Sequence, residues 1–245
     1  MLRGHEGVVT AVAISPDRHW VATCGDNAAR LWDLRAKNPA GSSVALRGQE
    51  GWVSAVAISP DNHWLVTGSN DNKARLWDLT AKDPAAGPVV LRGHEGEVLV
   101  LTFTSDARWL VTGSKDGTSR LWDLTAQDPA VSPVVLRVQE DRVTAVAISS
   151  DAHWLATGGK DGTARLWDLM AKDPAGSPVV LRGHEKEVNA VAISPDNHWL
   201  VTGGDDNTAR LWDLRTKTRR LTQWCCGGTR TGSVRWGSAQ TITGW

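Results

Sequence analysis

One heptapeptide repeats along this 245-residue chain at a constant interval. TARLWDL, read at 208–214, occurs with at most one change in four earlier copies, and every copy contains Trp-Asp. The Trp-Asp pairs stand 45 residues apart, at 32–33, 77–78, 122–123, 167–168 and 212–213. Self-similarity at such a period predicts an array in which one supersecondary unit is built five times and buries its apolar faces against its neighbours.

Four short apolar runs recur in each repeat. In the second repeat they are VALR, VSAVAIS, HWLVTG and ARLWDL, within residues 44–79, and Gly, Pro, Asn or Asp separates them. Runs of four to seven residues rich in Val, Ile, Thr and Trp, bounded by turn formers, are typical of β-strands and too short for helices. The pattern predicts four antiparallel strands per repeat, about twenty in all.

Side-chain size changes from run to run within a repeat. Ala55 and Ala57 keep one run small, whereas the later runs contain Trp64 and Trp77. Such a gradient suits sheets that pack radially, with small residues where the sheets converge and bulky ones where they splay apart. The sequence therefore favours wedge-shaped sheets that bury both faces.

Gly-His (4–5, 93–94, 183–184), SPD (15–17, 59–61, 194–196), LVTGS and RLWDL together resemble the WD-repeat family of β-propellers, over residues 2–214. The uniform copies are similar to the C-terminal arrays of bacterial NACHT- or AP-ATPase-type signalling proteins. The resemblance implies an all-β propeller with five recognisable four-stranded blades, either a closed five-blade ring or an open arc of a larger propeller. It also implies a non-enzymatic scaffold that uses no cofactor and binds a protein or peptide, as part of a larger signalling protein.

We expect one propeller domain over 1–214, followed by a basic tail that matches no repeat position. The tail, 215–245, contains no Asp or Glu. Two explanations stay open for it: a closing strand at 219–224 followed by an irregular extension, or out-of-frame translation. The repeats span about 2–42, 43–87, 88–132, 133–177 and 178–214.

Each repeat places a His or Gln, a Thr, an Asp and a Trp at matching offsets. His, hydroxyl and Asp suggest a hydrolase triad, but a catalytic site is rarely built five times. The resemblance implies a structural hydrogen-bond network instead, in which Trp donates to Thr and His joins Thr to Asp. These residues are His5, Thr23, Asp26 and Trp32; Gln49, Thr67, Asp71 and Trp77; His94, Thr112, Asp116 and Trp122; Gln139, Thr157, Asp161 and Trp167; and His184, Thr202, Asp206 and Trp212.

Two repeats depart from this set. Gln can bridge a hydroxyl and a carboxylate but carries no charge, so we expect the second and fourth repeats to be held less firmly at that turn. Val138 also replaces the Gly found at 4, 48, 93 and 183. If that Gly has positive φ, Val there costs on the order of 1 kcal/mol.

The five copies differ mainly at three positions, two after Gly-His or its equivalent and one before the turn Asp. In a propeller all three point to one end of the ring, the top, and variation on a fixed scaffold suits a binding surface. Neutral drift is the alternative. Trp52 among charges resembles an interface anchor. The candidate binding residues are Val8, Thr10, Trp52, Ser54, Asn70, Glu97, Leu99, Lys115, Arg142, Thr144, Lys160, Glu187, Asn189 and Asp205.

Composition narrows the partners. Twenty-seven basic residues balance 27 acidic ones, so no net field favours nucleic acid or an anionic membrane. Three cysteines without paired spacing favour a reducing compartment, and the opening MLRGHEGVV lacks the layout of a signal peptide. We expect a cytoplasmic protein without a metal site.

Other interpretations remain open. A propeller enzyme or small-ligand binder would need acids or metal ligands in the axial channel, where the sequence offers Val, Ala, Ser and Ile. A degenerate fragment would have no specific partner. Five wedges can close as a strained ring, remain an arc or be completed by another chain, and an open arc would favour self-association.

Overall fold

The computed structural model describes residues 2–137, 141–176 and 178–215 in full, together with the backbone of 222–228, 234–236 and 240–241. Val138 and Gln139 lie outside the described residues. The one helical element in this part of the chain is a 3-10 turn at Pro39–Gly41. The predicted all-β class is therefore confirmed.

Twenty-two strands form in the described residues. They are β1 (Ala11–Ile14), β2 (Trp20–Cys24), β3 (Ala29–Asp33), β4 (Val44–Leu46), β5 (Val53–Ile58), β6 (Trp64–Ser69), β7 (Ala74–Asp78), β8 (Val89–Leu91), β9 (Val98–Phe103), β10 (Trp109–Ser114), β11 (Thr118–Asp123), β12 (Val134–Arg137), β13 (Val143–Ile148), β14 (Trp154–Gly159), β15 (Ala164–Asp168), β16 (Val179–Leu181), β17 (Val188–Ile193), β18 (Trp199–Gly204), β19 (Thr208–Asp213), β20 (Thr222–Gly228), β21 (Val234–Trp236) and β22 (Gln240–Thr241).

The strands of this described part form five sheets, numbered here in chain order. The first four contain β1–β4, β5–β8, β9–β12 and β13–β16, each in sequential order. The fifth has the order β17-β18-β19-β20-β21, and β22 also pairs with β20. Each of the first four sheets thus takes three strands from one repeat and an outer strand from the residues that follow, which is the predicted four-stranded pattern. The fifth sheet has the same three strands from its repeat, followed by β20, β21 and β22.

A short hydrogen-bonded turn joins the first two strands of each sheet. In the second sheet the Ser59 hydroxyl donates to Asp61 and accepts from the Trp64 amide at 2.8 Å. Asn62 takes the left-handed conformation there, with φ 64°. Asn tolerates this region better than other residues with a side chain, so SPDN sequences fix both the turn and the start of the next strand.

The chain divides into two compact units, Met1–Asp116 with Arg120–Pro133, and Gly117–Ser119 with Val134–Trp245. The expectation of one domain over 1–214 stays a prediction. β20 covers 222–228, so it overlaps the tail segment proposed as a closing strand at 219–224, and it pairs antiparallel with β19.

In the first compact unit, apolar side chains fill the space between successive sheets. Ala22 and Leu31 of the first sheet pack with Val53, Val56 and Trp77 of the second. Main-chain acceptors hold the same joint, since Thr10 Oγ1 donates to the Val53 carbonyl at 3.0 Å. Val66, Leu76 and Leu91 pack in turn against Phe103, Leu110 and Trp122 of the third sheet.

The second compact unit repeats this arrangement between its own sheets. Ala156 and Leu166 of the fourth sheet pack with Val188, Leu200 and Trp212 of the fifth. The Thr144 hydroxyl donates to the Val188 carbonyl, at the position that Thr10 and Val53 occupy in the first joint. The same packing rule therefore operates in both units.

Candidate functional site

The polar residues that suggest a catalytic triad form a chain of hydrogen bonds inside the first, third and fifth sheets. In the third sheet, Trp122 Nε1 donates to Thr112 Oγ1 at 3.0 Å, and His94 Nε2 lies 2.8 Å from the same oxygen. His94 Nδ1 lies 2.9 Å from Asp116 Oδ2. The geometry is that of an Asp-His-Thr triad, built from three different segments of one sheet.

The first and fifth sheets contain the same chain. Its distances in the first sheet are 3.0 Å from Trp32 Nε1 to Thr23, 2.7 Å from Thr23 to His5 Nε2 and 3.0 Å from His5 Nδ1 to Asp26. In the fifth sheet Trp212, Thr202, His184 and Asp206 make the corresponding bonds at 3.0, 2.9 and 2.9 Å.

Proton placement and burial show whether this row of hydrogen-bonded side chains could act as a catalytic triad. With His Nδ1–H donating to Asp, His Nε2 accepts from the Thr hydroxyl, whose oxygen in turn accepts from Trp. Every polar atom along the chain then has a partner. Thr112 and Thr202 are fully buried, so no substrate can reach their hydroxyls. The arrangement satisfies buried polar groups and fixes the turn, and it leaves no accessible nucleophile.

In the second sheet Gln49 replaces His, and a different residue binds the turn carboxylate. Gln49 Nε2 donates to Thr67 at 3.1 Å, but its Oε1 is buried without a hydrogen-bond partner. The expected bridge from Gln to the turn carboxylate is therefore not made. Arg75 takes over, with Nη2 2.8 Å from Asp71 Oδ2 and the two side chains 5% and 4% exposed. Trp77 still donates to Thr67, at 3.1 Å.

In the fourth sheet, too, an Arg contacts the turn carboxylate. Arg165 Nη1 lies 3.3 Å from Asp161 Oδ2, and Trp167 Nε1 donates to Thr157 at 3.2 Å. Gln139, the remaining member of the predicted set, lies outside the described residues. The sequence shows an Arg at this position in every repeat, so no contrast between repeats indicated that two of them would need it for the carboxylate.

The three variable positions lie together at one edge of each sheet. In the second to fifth sheets, the backbone amide of the residue before the turn Asp donates to the carbonyl of the residue before the first strand, at 2.9 to 3.1 Å. These amide–carbonyl pairs are Asn70 and Trp52, Lys115 and Glu97, Lys160 and Arg142, and Asp205 and Glu187.

The third variable position is a β-bulge. The register between the first two strands shifts at Ser54, Thr144 and Asn189, and it shifts opposite Leu99 in the third sheet. Bulges redirect side chains and are common beside binding sites. The first sheet has no such shift in its register. There a Cβ at Gly25 would lie 2.2 Å from the Val8 carbonyl oxygen, so this corner has no room for a side chain.

The first compact unit presents an apolar anchor with polar neighbours. Trp52 is 57% exposed at the start of β5. Ser54 Oγ lies 2.9 Å from Asn70 Oδ1 and 3.2 Å from Glu97 Oε1. Lys115 is exposed, and Val8 is exposed at the position equivalent to Trp52 in the first sheet. An exposed indole beside hydrogen-bonding groups that are already positioned has the chemistry of a hot spot with a polar rim.

In the second compact unit the corresponding positions are joined to each other. Arg142 contacts both carboxylate oxygens of Glu187, at 3.0 and 2.9 Å through Nη2. Asn189 donates to Asp205 at 2.5 Å. Lys160 Nζ lies 2.9 Å from Asp141, a residue the sequence-based prediction missed. An acidic residue where the second and third repeats have Gly51 and Gly96 was the available signal.

No helix in the described residues has the length and apolarity that a membrane span requires. No group of three or more His, Cys, Asp or Glu side chains in the same residues is placed to hold a metal ion.

A series of antiparallel sheets of four or more strands, each with a buried Trp–Thr pair and a Trp-Asp on its third strand, defines a repeat protein of the WD class. The family model described as WD domain, G-beta repeat matches residues 1–33, 41–78, 88–123, 133–168 and 177–213. The chain therefore belongs to the WD40 repeat family, whose domains generally mediate protein–protein interaction and are typically non-enzymatic. No curated protein matches the chain.

Proposed function

We propose that this protein is a non-enzymatic interaction scaffold that binds a protein or peptide through the edge carrying Trp52. The observation that carries the proposal is the exposure of this indole beside Ser54, Asn70 and Glu97, whose polar atoms are already oriented. Binding at such a site costs little side-chain ordering, because the strand ends and the bulge hold the polar groups in place.

The chemistry of the edge suggests the ligand. Trp52 offers apolar area, Glu97 a carboxylate and Lys115 an ammonium group. A peptide that suits them has an aromatic or aliphatic anchor with charged residues of both signs nearby. In the second compact unit Arg142 and Glu187 already neutralise each other, so we assign the anchor role to the first compact unit.

The wider setting follows only from resemblance. We propose that the chain acts in the cytoplasm as the binding part of a larger bacterial signalling protein, because its uniform repeats are similar to those arrays. Non-enzymatic action is supported by the buried hydroxyls of the Trp–Thr–His chain, since the residues most like a triad are inaccessible.

A peptide-display selection on the full chain tests the binding surface. Trp52→Ala should weaken the selected peptides about 30-fold, because truncating a hot-spot Trp costs about 2 kcal/mol. Val131→Ala is the matched control: Val131 is 62% exposed, in the loop after β11, which lies at the opposite edge of its sheet. Its affinity should stay within about twofold. A selection without binders, or binders insensitive to Trp52→Ala, would refute the proposal.

A further inference from the structure

The first sheet exposes an apolar face that every equivalent sheet in its own compact unit buries. Val56 and Ile58 of β5 pack against the first sheet, and Val56 is 9% exposed. The equivalent residues of β1 are Val12 and Ile14, which are 65% and 64% exposed. Two adjacent branched aliphatic side chains on one sheet face form a surface that water solvates poorly.

The fifth sheet exposes the complementary face. In the first joint, Ala11, Ala13 and Ala22 are the small residues that cover the second sheet, and Ala22 is fully buried. Their equivalents on the fifth sheet are Ala190, Ala192 and Val201. Both alanines are exposed, and Val201 is 41% exposed.

We propose that these two faces bind each other between copies of this chain, with the fifth sheet of one copy covering the first sheet of the next. The packing between the repeats identifies a second copy of the chain as the partner of the exposed first-sheet face. The chain already covers Val56 and Ile58 with a face of the type that Ala190, Ala192 and Val201 present. A second copy supplies that face with alanines at two of the three positions and with Val201 at the third, where the second sheet has Val66 in its joint with the third sheet.

Charge supports the same pairing. In the first joint the Asp17 amide donates to Asn62 Oδ1 at 3.1 Å, so these two positions meet across a joint. At the proposed interface the equivalent residues are Asp196 of one copy and Arg18 of the next. Both side chains are exposed. The first joint brings the Asp17 main chain to the Asn62 side chain, so the same pairing would place the Asp196 carboxylate close to the Arg18 guanidinium, and attraction between these opposite charges favours this order of copies.

The interface joins two different surfaces, so it is heterologous. A pair of bound copies still presents one free first-sheet face and one free fifth-sheet face, so assembly proceeds to longer chains or to closed rings as the protein concentration rises. Two copies joined through the same surface would stop at a dimer. Stoichiometry therefore distinguishes this proposal from other modes of self-association.

The experiment measures the mass of the full chain by sedimentation and light scattering between about 1 and 200 µM. The wild type should form a concentration-dependent series beyond the dimer. Val12→Glu blocks the first-sheet face and Val201→Glu the fifth-sheet face, so each variant alone should remain monomeric. An equimolar mixture should form a 1:1 dimer, because one intact face of each kind remains. Circular dichroism checks that both variants, changed at exposed positions, are folded.

Charge reversal gives a second and milder test. Arg18→Glu or Asp196→Lys alone should weaken assembly by a few-fold to about tenfold, and the double variant should recover most of the loss. The proposal is overturned by a wild type that stays monomeric at 200 µM, by a block variant that still dimerises alone, or by a mixture that contains only monomers. Peptide binding at Trp52 is measured separately, so the two proposals fail independently.

Discussion

Replacing Arg75 by Met should destabilise the second sheet strongly. Arg75 Nη2 lies 2.8 Å from Asp71 Oδ2 and also 2.8 Å from the Gly48 carbonyl oxygen. Burial alone would raise the pKa of Asp71, but the hydrogen bonds from Arg75 and from the Glu50 amide hold it below its ordinary value. Removing one member of a buried ion pair typically costs 3–5 kcal/mol, and backbone donors to Asp71 remain, so we expect about 3 kcal/mol.

Arg120→Met is the matched control in the third sheet. Arg120 Nη2 donates to the Gly93 carbonyl at 2.7 Å, whereas His94 contacts the turn carboxylate of Asp116. The substitution removes one hydrogen bond to a carbonyl, and the Asp116 carboxylate keeps its side-chain partner, His94. We expect a loss of about 1 kcal/mol. The difference between the two sheets, about 2 kcal/mol, measures the extra role of Arg75.

A rescue variant sharpens the test. Gln49→His in the Arg75→Met background should restore the contact that His94 makes in the third sheet and recover about 1–2 kcal/mol. In wild type, where Arg75 already holds Asp71, the same change should gain less. The cost of Arg75→Met should also fall at acid pH, because a protonated Asp71 no longer needs a cationic partner.

Urea unfolding at pH 7, followed by tryptophan fluorescence, measures these differences from shifts in midpoint at constant slope. Equal costs for Arg75→Met and Arg120→Met would show that the two arginines do the same work. Failure of Gln49→His to recover stability would show that the exchange between His and Arg is not the reason for the difference.

Two further predictions concern acid and space. Burial opposes the charge of Asp206, yet hydrogen bonds from Thr208, the Glu185 amide and His184 lower its pKa to about 2. Because the folded pKa lies below the ordinary Asp value of 3.8, the stability this carboxylate contributes is present above pH 3.8 and is lost as the pH falls through 2. Between pH 5 and pH 3, the free energy of unfolding of Asp206→Asn, measured in urea, should therefore fall by about 1 kcal/mol less than that of the wild type. Equal decreases in the two proteins would contradict this prediction. Gly25→Ala should cost at least about 2 kcal/mol in the same assay, because its Cβ would meet a carbonyl oxygen at 2.2 Å. Gly7→Ala, whose Cβ would lie in ordinary van der Waals contact 3.8 Å from Asp26 Cβ, should stay within about 0.5 kcal/mol, and similar costs for the two variants would reject the steric explanation.

Much of the fold follows from the sequence because each strand has two independent marks. The runs at 53–59, 63–68 and 74–79 recur at the repeat period and end at turn formers. The observed strands Val53–Ile58, Trp64–Ser69 and Ala74–Asp78 agree with them to within a residue. Periodicity and turn chemistry are local properties, so a single sequence contains them.

The details of the site depend on distances that no local pattern contains. Arg75 and Arg120 occupy the same position in their repeats and both bind a carbonyl, and only the structure shows that Arg75 binds the turn carboxylate as well. The bulge at Ser54 is equally invisible, because an unpaired residue leaves no mark on composition. The sequence also predicts that Arg142 binds a partner, whereas in the structure Glu187, 45 residues away, pairs with its guanidinium.

Two of the joints between sheets use a main-chain acceptor, and this has a consequence for how such chains change. Thr10 donates to the Val53 carbonyl and Thr144 to the Val188 carbonyl, and a carbonyl is present whatever side chain the residue has. A duplicated 45-residue segment therefore offers its neighbours the same acceptor and the same small apolar face. After a deletion, the two repeats that become neighbours offer them to each other. The gene can gain or lose copies of the repeat while the residues at the three variable positions diversify independently in each copy.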